Sequence, residues 1–346
     1  MRVSTLFADD IGGIVEALGG TLGKRLGTEF YLIDLEDAAA LTQADAARHV
    51  RWRMPLHHAW PCHPEAMDGF VEKAAQGLWR KFGQSRPQNV LVGVLDPTSP
   101  RRYYKLLASN LRGRALQVFG LTETAPKEAE TQDAGRASLF CLIGKEGLFA
   151  GMCSPREAGA WHPGGTRFIR QSGEESVSRA GAKLAEALHV AALHRSLPAP
   201  GAAWLELGAS PGGMTSELLR RGYHVTAVDR AALDARLDAA ANLKFFREDV
   251  ARFSPPPGLR FDALLCDMNG DAQNAMRQVA RLSATLRPGA LIVFTLKTTG
   301  AQGLAEVDEL EHSVRASAER AGLELFHRTH LSYNRHEFTL CFTKPG

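Results

Sequence analysis

The chain has 346 residues, 45% of them hydrophobic and 23% charged, with a formal net charge of +3. That length suits two domains of ordinary size, and the composition excludes a disordered, collagenous or coiled-coil chain. Lys and Arg (41) nearly balance Asp and Glu (38), which excludes binding of nucleic acid by bulk charge and leaves only local patches for it.

In chain order, residues 1–85 read as an N-terminal α+β subdomain. It has a strand-like run EFYLIDL and an amphipathic helix near 65–82. Residues 86–152 follow as a second α+β region with strands at 89–95, 115–119, 138–143 and 147–152, and a helix over 101–112. The stretch 121–137 is polar and reads as a loop. Residues 153–175, rich in Gly, Pro and charge, read as the linker between domains. The remainder, 176–346, opens with an apolar-periodic helix in VSRAGAKLAEALHVAALH. Strands follow near 203–207, 223–228, 243–246, 261–266, 289–296, 323–329 and 336–343, and helices near 213–221, 271–287 and 303–321. This alternation predicts a Rossmann-like α/β fold. Its seven-stranded sheet is mostly parallel, and the last two strands, with no helix between them, form an antiparallel hairpin.

Ligands in such sheets sit beyond the carboxyl ends of the strands, and the motifs cluster there. The first strand runs into ELGASPGGMT, the next helix follows, and the second strand ends at Asp229. Gly208 permits a sharp turn, while Gly212 and Gly213 bare the backbone to a ligand. A carboxylate after the second strand suits ribose hydroxyls. The turn departs from the G-x-G-x-x-G form that seats a pyrophosphate. Glu206, read as part of the turn, sets an acid where a diphosphate would lie. That favours a cationic ligand with an amino group, such as S-adenosylmethionine.

Four polar residues stand at or beside the strand ends: Asp267 after FDALLC, Lys297 after GALIVFTL, Glu337 opening the last strand, and Lys183 on the helix before the sheet. Taken singly, each lysine suits a solvated surface, Asp267 suits the N-cap of the 271–287 helix, and Glu337 suits an ion pair with Arg335.

Together, SRAGAKL, LELGASPGGMT, CDMNGD, FTLK and RHEFT resemble the FtsJ family of S-adenosylmethionine-dependent RNA 2′-O-ribose methyltransferases. The resemblance is strongest to the bacterial 23S rRNA cytidine 2′-O-methyltransferases with an N-terminal THUMP domain. It covers about 176–346 and reaches weakly into the first half, where NVLVGVLDPTSPRRYYKLLASNLRGRAL suits the core of a THUMP-like RNA-binding region. It implies a class I methyltransferase domain with Lys183, Asp267, Lys297 and Glu337 as a catalytic tetrad. It further implies a cofactor site of Ser178, Gly208, Ser210, Pro211, Gly212, Gly213, Met214, Asp229, Asp249 and Asp267, with no metal. Two positions depart from the family pattern: Met214 stands where Trp is frequent, and Thr298, Thr299 and Gly300 replace a Leu-Pro after the second lysine. The implied partner is RNA, most directly 23S rRNA or a large-subunit precursor, and the implied state is a monomer. A methyltransferase with another acceptor, or a non-catalytic RNA-binding or assembly protein, are the alternative readings. The intact tetrad argues against the latter.

Cys62, Cys141, Cys153, Cys266 and Cys341 are scattered without a C-x-x-C pair, which points to a reducing compartment. No run approaches the ~18 apolar residues of a membrane span, and acids interrupt the N-terminus before any export signal. The expected location is the cytoplasm, away from membranes. His57, His58, Cys62 and His63 match no structural zinc spacing and read as loop residues. Arg101, Arg102, Tyr103, Tyr104, Lys105, Arg112 and Arg114 form a basic, aromatic cluster suited to RNA backbone contact, and Arg51, Trp52 and Arg53 a weaker one.

Overall fold

A computed structural model describes residues 1–165, 177–301 and 303–346. The chain divides into two compact units, Met1–Phe168 and Ile169–Gly346.

The first unit holds two four-stranded sheets. Strands β1 (Arg2–Val3), β2 (Gly20–Leu26), β3 (Phe30–Leu35) and β4 (Val50–Trp52) form an antiparallel sheet in the order β2-β3-β1-β4. Strands β5 (His58–Trp60), β6 (Val90–Val94), β7 (Ser138–Gly144) and β8 (Gly147–Cys153) form the other, in the order β5-β8-β7-β6. Only β6 and β7 in it are parallel. Helices α1 (Ile11–Ala17) and α2 (Ala40–Gln43) accompany the first sheet. Helices α3 (Phe70–Phe82) and α4 (Tyr103–Val118) pack together on the second, burying Phe70, Ala75 and Leu78 with Ala108, Leu111 and Ala115.

Three expectations change here. The run 115–119 is not a strand but the last turns of α4, because the buried spacing 108, 111, 115 continues through it. The packing does not divide at residue 85. β5 pairs with β8 and α3 packs on α4, so material from before 85 completes the second sheet. Residues 153–165 are structured rather than a free linker. A capping box of Ser154 and Glu157 starts the short helix α5 (Pro155–Ala158), and Arg2 Nη1 donates to Gly164 O at 2.5 Å. The rest of that stretch, 166–175, lies outside the described residues.

The second unit opens with α6 (Ala180–Ala191). It continues β9 (Ala203–Leu207), α7 (Gly213–Arg220), β10 (His224–Val228), β11 (Leu243–Phe246), β12 (Phe261–Cys266), α8 (Ala272–Leu282), β13 (Leu286–Lys297), α9 (Leu304–Arg320), β14 (Glu324–Thr329) and β15 (Glu337–Thr343). The sheet order is β11-β10-β9-β12-β13-β15-β14. β9 to β13 pair in parallel, and β15 lies antiparallel between β13 and β14. This is the Rossmann-like sheet with a terminal antiparallel hairpin that the sequence predicts. The central strands read as unbroken apolar runs because both faces are covered. On one face, α6 and α7 bury Leu184, Leu188, Met214 and Leu218 against Trp204, Val225 and Leu265. On the other, α8 and α9 pack together, with α8 lying on β12 and β13.

Leu265 sits in the middle of β12 and is 1% exposed. Leu265→Ala is expected to cost about 2–5 kcal/mol through lost burial and a residual cavity, read as a lower urea midpoint with unchanged slope.

Candidate active site

The sheet topology brings four side chains to one edge. β12 ends at Cys266 and delivers Asp267, while β13 ends on Lys297. β15 runs the opposite way, so its first residue, Glu337, lies directly across from Lys297 in the register. Lys183 reaches the same point from the first turn of α6 and is 6% exposed.

The four form a closed ring of ion pairs. Lys183 Nζ lies 3.0 Å from Asp267 Oδ1 and 2.7 Å from Glu337 Oε1. Lys297 Nζ lies 2.9 Å from Asp267 Oδ1 and 2.6 Å from Glu337 Oε2. Each ammonium thus bridges both carboxylates. Burial pushes the Asp267 carboxyl up, but the two lysines outweigh it and hold Asp267 below the ordinary carboxylate range. Burial likewise pushes the Lys297 ammonium down, yet the carboxylates of Asp267 and Glu337 prevail and hold its pKa above the ordinary lysine value. Asp267 does not cap α8. Asp271 does, accepting from the Gln273 and Asn274 N–H groups, which leaves Asp267 to the ring. Glu337 pairs with the lysines and not with Arg335.

A cavity of about 380 Å³ opens on this ring. Its other walls are Arg179 and Ala180 at the start of α6 and Ser332–Arg335 in the β14–β15 turn. Sequence reasoning passed over Arg179, Ser332, Tyr333 and Asn334. Arg179 stands inside the SRAGAKL motif, which was a usable signal, whereas nothing in SYNR marks the turn as a cavity wall.

The glycine turn adjoins the ring. Gly208 has φ +80°, and a Cβ there would meet the Met268 Cα at 2.9 Å, so the turn and the Asp267–Met268 backbone come together only because residue 208 has no side chain. Gly212 has φ +106°, and a Cβ on Gly213 would collide with Ser178 Oγ. Ser210 precedes Pro211 through a cis peptide bond. Asp229, just past β10, accepts from the N–H groups of Ser210 at 2.9 Å and Ala231 at 2.8 Å, and so fixes the turn to the second strand. Asp249 follows β11, accepts from Ala251 N–H at 2.9 Å and is partly exposed. Met214 turns inward, 4% exposed within the core under α7, so its side chain packs rather than lining an open pocket.

Glu206 is a correction. It is not in the turn but within β9, 2% exposed, and accepts from Thr215 Oγ1 at 2.8 Å. Burial pushes its pKa up to about 8, with the nearby charges of Asp267 and Asp229 adding to the rise. Burial disfavours its charged form, so the acidic character beside the turn comes from Asp229.

In the first unit, Arg51, Trp52 and Arg53 do not form an RNA-facing group. Trp52 is 2% exposed and meets Phe30 and Phe140 edge-on, while Arg51 lies 3.5 Å from Glu29. Burial lowers the Arg53 pKa to about 10. The cluster on α4 shrinks as well: Arg114 pairs with Glu72 at 2.6 Å and Arg112 donates to Val90 O, leaving Arg101, Arg102, Tyr103 and Lys105 exposed. His57 Nδ1 accepts from Met152 N–H.

A carboxyl-edge site of this kind, with a glycine turn, acids after the neighbouring strands and a Lys-Asp-Lys-Glu ring, defines an FtsJ-like methyltransferase domain, and the family model of that description matches residues 176–312. Three curated relatives carry the description ribosomal RNA large subunit methyltransferase M. The protein from Chromohalobacter salexigens is 32% identical over 77% of this chain and 69% of its own length. That from Halorhodospira halophila is 33% identical over 66% of each chain, and that from Laribacter hongkongensis 29% over 62% of this chain and 61% of its own. The chain belongs to the ribosomal RNA large subunit methyltransferase M family. The matches to the Laribacter and Halorhodospira proteins span somewhat less than two thirds of those relatives' length.

The directions of the two shifts set a pH window. Asp267, lowered by folding, contributes stability that is present above its unfolded pKa of ~3.9 and is lost as pH falls through its folded value. Lys297, raised by folding, contributes stability that is present below ~10.4 and is lost as pH rises through its folded value. Wild type is therefore expected to exceed Asp267→Asn in denaturation midpoint around neutral pH, with the gap closing in acid.

Proposed function

We propose that the chain transfers a methyl group from S-adenosylmethionine to a ribose 2′-hydroxyl of RNA, with 23S rRNA as the substrate that the relatives' shared description points to. The observation that carries the reading is the closed ring of Lys183, Asp267, Lys297 and Glu337 beside the glycine turn.

The residues suit the cofactor. The acceptors at the ends of β10 and β11, Asp229 and Asp249, match the hydroxyl and amino donors of an adenosine, and their carboxylates suit a cation. Ser178, Gly208, Ser210, Pro211, Gly212 and Gly213 form the backbone bed for the rest, with Met214 supporting it from the core. When bound, the cofactor supplies a methyl already activated on a sulfonium. The protein therefore has to align the hydroxyl in line with that methyl and take up its proton. Asp267 and Glu337 hold both ammonium groups in place. Lys297, once it has released its own ammonium proton to solvent, accepts the hydroxyl proton at Nζ as the oxygen–methyl bond replaces the methyl–sulfur bond. In the free protein the ring keeps Lys297 protonated, and a cation brought next to it pushes its pKa back down. Lys183 keeps the two acids compensated while Lys297 is neutral.

The raised Lys297 pKa also favours a second role, in which Lys297 stays cationic and only orients the hydroxyl. The exposed Arg101, Arg102, Tyr103 and Lys105 at the start of α4 are the part of the first unit suited to RNA contact, in keeping with a THUMP-like role. No described helix is long and apolar enough to cross a membrane. The reading sets the enzyme with its RNA in the cytoplasm, as a monomer.

Labelled methyl from S-adenosylmethionine is expected in alkali-resistant dinucleotides of unmodified 23S rRNA, and label confined to bases or protein would refute the proposal. Lys297→Ala is expected to lower kcat by roughly 10²–10⁴-fold, the typical worth of general-base help, with cofactor affinity retained by calorimetry. Wild-type kcat/KM should rise with pH into the alkaline range. Substantial activity in Lys297→Arg would assign Lys297 the orienting role in place of proton acceptance.

A further inference from the structure

Two guanidinium groups line the cavity without any protein partner among the described residues. Arg179 precedes α6 and Arg335 stands in the β14–β15 turn, and both are exposed. Several other arginines of this unit are committed: Arg220 to Glu217, Arg281 to the Val250 and Phe253 carbonyls, Arg328 to Glu311. The two at the cavity are held in reserve beside the ring.

Charge decides what they face. Within the ring two ammonium groups balance two carboxylates, so the charge of the cavity lining comes from Arg179 and Arg335 alone. A nucleotide inside an RNA strand carries one phosphodiester on either side of its ribose, each with a single negative charge. A guanidinium presents a planar pair of N–H donors that match a phosphate's oxygens.

The turn bearing Arg335 is fixed in advance. Asn334, 2% exposed, accepts from Leu331 N–H at 2.9 Å and Thr339 Oγ1 at 3.4 Å. His330 Nε2 donates to Arg335 O at 3.0 Å. Ser332 N–H donates to the Glu186 carboxylate on α6 at 2.9 Å. The turn is thereby tied to the helix that Arg179 precedes, and a preorganised clamp loses less entropy on binding.

We infer that Arg179 and Arg335 are positioning residues that grip the two phosphodiesters flanking the acceptor ribose and so centre its 2′-hydroxyl over the ring. The inference rests on the RNA reading above and names the atoms of the strand that the site holds.

The test is binding of unmodified transcribed 23S rRNA as a function of salt, for wild type, Arg179→Gln, Arg335→Gln, the double variant, and the Arg→Lys forms. For a single-stranded contact, each phosphodiester lost should reduce the slope of log affinity against log salt by roughly 0.7, so the double variant loses roughly twice that. The lysine forms, which keep the charge, should recover most of the slope. Contacts made by the first unit add the same amount in every variant and cancel. Cofactor affinity and melting temperature should not move, since neither guanidinium holds protein atoms among the described residues. A double variant with the wild-type slope overturns the clamp, even if the wild type methylates the RNA. A slope that falls as expected in a protein that transfers no methyl to ribose upholds the two phosphodiester contacts and overturns the proposed function, and with it the centring of a 2′-hydroxyl.

Discussion

The second unit depends on how two carboxylates are kept together in a partly buried space. Asp267 and Glu337 both touch the same two ammonium groups, and without those cations one acid would take up a proton to escape the repulsion. The lysines need the acids equally, because burial alone would drive an ammonium towards its neutral form. Neutralising any one member leaves a buried charge of the opposite sign uncompensated, a situation more costly than the loss of a surface pair. The ring is a mutual constraint, and it fixes the position of each amine far more tightly than long side chains on a surface would be fixed.

That constraint is met by topology. Parallel strands deliver their carboxyl ends to one edge, where Asp267 and Lys297 fall naturally. An acid at the beginning of a strand reaches the same edge only if that strand runs backwards, and β15 does so. The register pairing Lys297 with Glu337 turns a reversal in the sheet into a contact of the ring. Farther along the edge, the missing side chain at Gly208 lets the turn close on the Asp267–Met268 backbone, bringing the glycine turn up against the acid of the ring.

Most of this was legible in the sequence of the second half, because its signals are local. Apolar runs such as FDALLC and VFTL mark strands buried on both faces, and the polar residue that ends each run lies on the functional edge. What failed had a physical cause. Glu206 looked like part of the turn because it abuts the glycine cluster, yet it alternates into β9 and loses its charge to burial. The run ALQVF has strand-like composition, but the spacing of Ala108, Leu111 and Ala115 belongs to a helix. Trp52 among arginines resembled a stacking platform, while the neighbouring Phe30 and Phe140, distant in sequence, enclose it. The turn SYNR showed nothing, since its place beside α6 comes from a bond between Ser332 and Glu186, 146 residues apart.

The reversed strand has a temporal consequence. β15 follows the other six strands of its sheet in the chain and wedges between β13 and β14. Until it slots in, β14 has no neighbour to join it to the sheet, and Lys183 and Lys297 meet only one of their two acids. The nascent polypeptide can therefore assemble its glycine turn well before it can close the ring of four charges.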